Sequence, residues 1–124
     1  MRQLRTLDPS EHQIQCAWFA WWNHTFDPAL AWAIPNGGLR HIGVAQKLKA
    51  EGVRSGVPDV FIAMPVRNYH GLFLEFKTPK GVLSVTQKLY AQKLVEQGYQ
   101  VKTVRSVDEA IQTTLEYLNF FDIE

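Results

Sequence analysis

One carboxylate limits the folds open to this chain. Val57-Pro58-Asp59-Val60-Phe61-Ile62-Ala63-Met64 is a nearly continuous apolar run, the pattern of a buried strand, and Asp59 alone interrupts it. Burying a carboxylate in such a run costs several kcal/mol unless a cation or hydrogen-bond donors meet it, so the fold must bring one of these to Asp59. A polar turn over residues 65–71 leads into a second apolar run, Leu72 to Lys77, and the two read as a hairpin. The two-residue period of a strand puts Leu72, Leu74 and Phe76 on one face and Phe73, Glu75 and Lys77 on the other. Glu75 and Lys77 therefore point the same way from a half-buried strand, with Cα atoms roughly 7 Å apart, and hairpin pairing lets Asp59 and Glu75 converge.

Two converging carboxylates with an ammonium group beside them have a specific chemical use. Oxygen donors at this density suit a hard divalent cation such as Mg²⁺ or Mn²⁺. Such an ion lowers the pKa of a water and neutralises a phosphate, while Lys77 would orient or help deprotonate the attacking water and screen the charge of the transition state. The reaction implied is phosphodiester hydrolysis. Glu75 and Lys77 taken alone read more readily as an exposed ion pair; Pro58-Asp59 at this spacing reverses the reading in favour of a site.

The rest of the chain alternates helices and strands. Ser10 with Gln13, Ser84 with Gln87 and Ser106 with Glu109 each have the spacing of a helix-starting capping box. The first predicts a helix to about His24, with Ile14, Ala17, Trp18, Trp21 and Trp22 at helical spacing. The second predicts a helix ending at Gly98, followed by a strand over Tyr99 to Val104, and the third a helix to about Leu118. Ala31 to Ile34 is a short strand or extended arm, and residues 40–51 form a helix that Gly52 terminates. This order predicts an α/β protein, a mixed central sheet flanked by helices, with 124 residues in a single domain.

Charge is distributed unevenly. The formal net charge is +1, yet residues 106–124 hold five carboxylates and no Lys or Arg, so the preceding residues carry the positive excess that phosphate binding requires. A solvated basic surface beside an acidic final helix is the alternative. The single cysteine, Cys16, excludes an internal disulfide and is expected as a small buried thiol, and no Cys/His spacing suits zinc. No apolar stretch approaches the ~18 residues of a membrane span, and Met1 to Arg5 lacks the apolar segment of a secretory signal, so the expected location is the cytoplasm.

Pro58-Asp59 followed by Glu75-Phe76-Lys77 on the next strand, and then by a helix, resembles the PD-(D/E)xK nuclease signature in its ExK form. Together with Ile34-Pro35-Asn36-Gly37-Gly38, the loop from Gly52 to Pro58, Gly81-Val82-Leu83-Ser84 and Gln87, the chain from about Glu11 to Ala110 resembles a VRR-NUC domain. The resemblance implies a restriction-endonuclease-like fold and divalent-metal-dependent cleavage of DNA in a bacterial cell or virus-infected host. It also implies roles: Glu11, Asp59 and Glu75 as metal-holding carboxylates, Lys77 as the catalytic lysine, and Gln87 near the metal. Stand-alone relatives of this size imply a homodimer acting on branched DNA such as four-way junctions. A flap or nicking nuclease, or a branched-DNA-binding module without turnover, are the alternatives. Locally, Glu11 also fits a first-turn carboxylate and Gln87 a capping residue, and a cap facing a metal serves both purposes.

Asn36-Gly37-Gly38-Leu39-Arg40-His41 joins pliant backbone to two phosphate donors, and Arg54-Ser55-Gly56 repeats the combination before the Asp59 strand. Lys80 and Lys88, with Lys47, Lys49 and Lys93, extend the track. No base-reading element stands out, so recognition by shape is expected. Trp18, Phe19, Trp21 and Trp22 serve either the core or a dimer interface.

Overall fold

The computed structural model describes residues 8–35 and 42–119. The elements are α1 (Glu11–Thr25), a 3₁₀ turn (Pro28–Leu30), β1 (Ala31–Ala33), α2 (Ile42–Ala50), β2 (Val60–Ile62), β3 (Leu72–Phe76), α3 (Val85–Glu96), β4 (Gln100–Val104) and α4 (Val107–Leu118). The strands form one sheet in the order β1-β2-β3-β4. β2 and β3 are the expected antiparallel pair, with Phe61 opposite Phe73, and β4 runs parallel to β3 because α3 carries the chain across between them. The predicted mixed α/β sheet is the one observed.

Serine caps start the helices as their spacing requires. Ser10 and Ser84 each accept from the backbone N–H three residues on, and the Gln13 and Gln87 side chains bond back to the serine N–H. At α4 the box is incomplete: Ser106 accepts from Glu109 N–H, but the Glu109 carboxylate turns to Arg105 N–H at 2.6 Å. Gly52 ends α2 with φ +100°, where its N–H reaches Lys49 O and the Val53 N–H reaches Leu48 O, closing the last turn in a left-handed cap that side chains disfavour.

Ile14, Trp18 and Trp22 recur every four residues on α1 and are buried against β3 and α4. Polar atoms carried into this layer are paired: Trp18 Nε1 donates to Thr114 Oγ1 at 3.1 Å, Thr114 donates to Ala110 O at 2.7 Å, and Tyr117 donates to Met64 O at 2.8 Å. The indole-rich helix is thus used mainly by the core, with Phe19 and Trp21 packed half-buried around it. Cys16 is exposed, contrary to expectation. It stands two residues from both Ile14 and Trp18, about 200° around the helix from each, and lies 3.5 Å from His12 Nε2 on the solvent side. Ala17 is likewise turned outward.

Two expectations about the strands need correction. β3 is buried along its whole length, not half-buried, because α1 and α4 cover the Leu72, Leu74 and Phe76 side while α3 approaches the Glu75 side. The ordered strand around Asp59 is also shorter than the apolar run: Asp59 itself lies just outside β2, although its N–H bonds Leu74 O and its carbonyl accepts from Ile34 N–H.

Replacing Trp18 by alanine removes a fully buried indole and the donor to Thr114, and is expected to lower the free energy of unfolding by about 3–5 kcal/mol. Cys16→Ser is expected to change it by less than about 0.5 kcal/mol. Urea denaturation of both variants checks the assignment of α1's two faces.

Candidate active site

The site begins where Asp59 leaves the apolar run. Its carboxylate Oδ2 accepts from the Phe76 backbone N–H at 2.7 Å, a strong contact that ties the entry of β2 to the end of β3. Across the pair, Glu75 projects from the same side, 5% exposed, close enough to share a hydrogen bond with Asp59. Glu75 Oε2 accepts from Gln87 Nε2 at 3.1 Å. Lys77 Nζ stands 4.0 Å from the same oxygen, at the outer limit of an ion pair.

Gln87 therefore does two things with one amide group. Its Oε1 accepts from Ser84 N–H at 2.9 Å to close the cap of α3, and its Nε2 is left to hold Glu75. The register of α3 is set by its neighbours. Gly56, at φ +88°, approaches Thr86 so closely that a Cβ would lie 2.6 Å from Thr86 Cγ2 and 2.9 Å from Thr86 O. Arg105, which sequence reasoning missed, donates to Thr78 O at 2.9 Å and Gly81 O at 2.6 Å. It fixes the turn between β3 and α3, and its only sequence signal is a cation at the end of a strand, just before a helix cap.

The electrostatics of the pair follow from this geometry. Burial is the largest influence on both carboxyls and pushes both up. Glu75 rises from its ordinary 4.5 to about 8, raised further by the Asp59 charge and by donating its proton to Asp59, with Lys77 opposing and Glu11 adding a smaller push upward. Asp59 is raised less steeply, because the Phe76 N–H, the Glu75 hydrogen bond and Lys77 all favour its charged form. One proton shared by two facing carboxyls is the expected result when like charges meet in a desolvated place.

Asp59, Glu75, Lys77 and Gln87 are thus brought together. Glu11 opens α1 near enough for its charge to reach Glu75, but among the described residues no group of three or more His, Cys, Asp or Glu side chains converges on one point. Arg54, Ser55, Lys80 and Lys88 are exposed, as phosphate contacts must be. Asn36, Gly37, Gly38, Arg40 and His41 lie outside the described residues.

The chain is an α/β domain with a mixed four-stranded sheet, in which Asp59 just before β2, Glu75 on β3, Lys77 just after it and Gln87 on α3 come together. The profile of the VRR-NUC domain matches residues 5–108, and the chain belongs to that family of nucleases. A solved structure titled "VRR_NUC domain protein" shares the fold with TM-score 0.79 at 23% identity, over 95% of each chain. No curated protein matches the sequence.

The donor set fits a divalent cation. Asp59 and Glu75 offer hard oxygen donors that are met by one backbone N–H, one side-chain amide and one ammonium at 4.0 Å, which is less than two carboxylates can accept.

Below about pH 4.5 the Glu75 carboxyl is protonated in the folded and unfolded chain alike; between there and about 8 only the unfolded chain gives up its proton, so stability falls as pH rises. Glu75→Gln, lacking this proton to lose, is expected to be more stable than the parent by a few kcal/mol at pH 8 in EDTA and nearly equal to it at pH 4. Thermal unfolding across that range measures the difference, and a gap that does not change with pH would contradict it.

Proposed function

We propose that the chain is a Mg²⁺- or Mn²⁺-dependent DNA endonuclease of the PD-(D/E)xK type, selective for branched DNA such as four-way junctions and active as a homodimer. The observation that carries the reading is the meeting of Asp59, Glu75, Lys77 and Gln87 at one place, although Gln87 lies 28 positions along the chain from Asp59. Asp59 and Glu75 would hold the ion, with Glu11 as the further carboxylate. A divalent cation there supplies the positive charge that neutralises the phosphodiester and acidifies a water.

The remaining roles belong to the chain. The Phe76 N–H fixes one Asp59 oxygen and leaves the other to bind. Gln87 holds Glu75 through Oε2, so the carboxylate is oriented before substrate arrives. Lys77, half-buried beside Glu75, positions the attacking water and screens the charge that grows on the phosphate. The water oxygen bonds to phosphorus as the bond to the 3′ oxygen breaks, and the proton ends on that oxygen, leaving 5′-phosphate and 3′-hydroxyl ends.

Because the tryptophans of α1 are consumed by the core, the apolar surface for a second copy is sought elsewhere. α2 and α3 bury no residue fully and expose Ile42 (70%), Val44, Val85 (71%) and Leu89. Covering these faces supports a dimer with two sites, as paired cuts at a four-way junction require. The setting that suits such an enzyme is the cytoplasm of a bacterial cell or virus-infected host, with residues 1–124 acting as one domain.

Cleavage of labelled four-way junction, flap and linear duplex with Mg²⁺, Mn²⁺ or EDTA tests the reaction. Metal-dependent cutting of the junction is expected, reduced by about 10²-fold or more in Lys77→Ala and in Asp59→Asn. Tight binding with no metal-dependent product would instead show a binding module, and preferential cutting of the flap would replace the junction as substrate. Sedimentation velocity is expected to show a dimer that Ile42→Glu with Val85→Glu dissociates; an active monomer would overturn the paired-site reading.

A further inference from the structure

A cavity of ≈ 320 Å³ has a lining that includes Ile34, Pro35, Val57, Tyr90, Arg54 and Glu51; the four side chains of the candidate site do not line it. That volume is within the range of sites that hold small ligands, about 300–1,000 Å³. Three of its walls are tied to the acidic centre through the chain. Ile34 donates its N–H to the Asp59 carbonyl at 2.8 Å. Val57 stands two residues before Asp59, and Tyr90 lies one helical turn along α3 from Gln87, on the same side. A phosphodiester at the carboxylates would therefore leave its neighbouring sugar and base beside this opening.

The lining has the chemistry of a nucleobase site. Ile34, Pro35 and Val57 provide flat apolar contact, and Tyr90 provides an aromatic ring that any base can stack upon. Arg54 is an exposed guanidinium matched to a phosphate. Glu51 is an acceptor matched to the exocyclic amine of adenine, cytosine or guanine. A base in continuous duplex is paired and stacked and cannot enter, whereas one at a branch point or bulge is already free.

Resting on the reading of the carboxylate pair as a DNA-cleaving centre, we propose that this cavity receives an unpaired, amine-bearing nucleobase flanking the scissile phosphate, with Tyr90 as its stacking surface and Arg54 on the adjoining phosphate. Selectivity for branched DNA then arises from a pocket in each protomer as well as from the spacing of two sites.

The test is binding in EDTA, read by fluorescence anisotropy on two labelled DNAs of equal length, one a continuous duplex and one carrying a single unpaired adenine. Wild type is expected to favour the second by about tenfold, the size of one base–aromatic stack. Tyr90→Phe keeps the ring and should keep this ratio, while Tyr90→Ala should reduce it to within about twofold. Pro35→Trp, a change at an exposed rim position that fills the mouth, should reduce it likewise and serves if Tyr90→Ala does not fold. Equal affinity of wild type for the two DNAs, or a ratio that survives both Tyr90→Ala and Pro35→Trp, overturns the cavity inference. Metal-dependent cleavage of a four-way junction by that same wild type would show that the nuclease reading stands without it; failure to bind either DNA together with failure to cut the junction overturns both.

Discussion

Two carboxyl groups facing each other, one from the entry to β2 and one from β3, with too little positive charge around them, are the interaction on which the rest of this molecule turns. Burying one such group is costly and burying two is worse, yet the fold holds them in place through a backbone donor to Asp59 and a side-chain amide to Glu75. Most of what surrounds them serves to keep that arrangement. The indole layer of α1 supports the far side of β3, Arg105 fixes the turn after it, and Gly56 lets the preceding loop rest on the first turn of α3. Under the proposed function an ion held between the two carboxylates would relieve this electrostatic load.

Much of this was legible in the sequence because its signals are local. The two-residue period places Glu75 and Lys77 on one face, and Asp59 breaking an apolar run joins them once the two runs are read as a hairpin. Serine caps with a partner three residues on locate helix starts, and the same rule put Gln87 at the mouth of α3. The hairpin, the fourth strand and the closing helix follow from alternation and turn residues, whereas the parallel pairing of β4 with β3 is visible only in the fold.

What escaped was the outcome of tertiary packing. The composition of α1 shows that it is aromatic, but whether its rings face the core or a second copy depends on α4, whose Thr114 accepts from Trp18. Cys16 was expected inside because thiols usually are, yet its angle on the helix puts it with His12 in solvent. Full burial of β3 could not be read from a strand containing Glu and Lys, since alternation of charge ordinarily marks a wet face; here α3 closes over that face and Gln87 meets the charge. Arg105 and Tyr90 carry no motif, and their parts are visible only once the turn and the cavity have been folded.

The most direct test of the central claim is the binding of Mn²⁺ to the purified protein without DNA, followed by loss of the free aqueous ion's electron paramagnetic resonance signal. Saturable binding to each chain, abolished by Asp59→Asn and by Glu75→Gln but retained in Lys77→Ala, is the predicted result. A chain that takes up no ion, or variants that bind it as wild type does, would show that the paired carboxylates serve the fold alone.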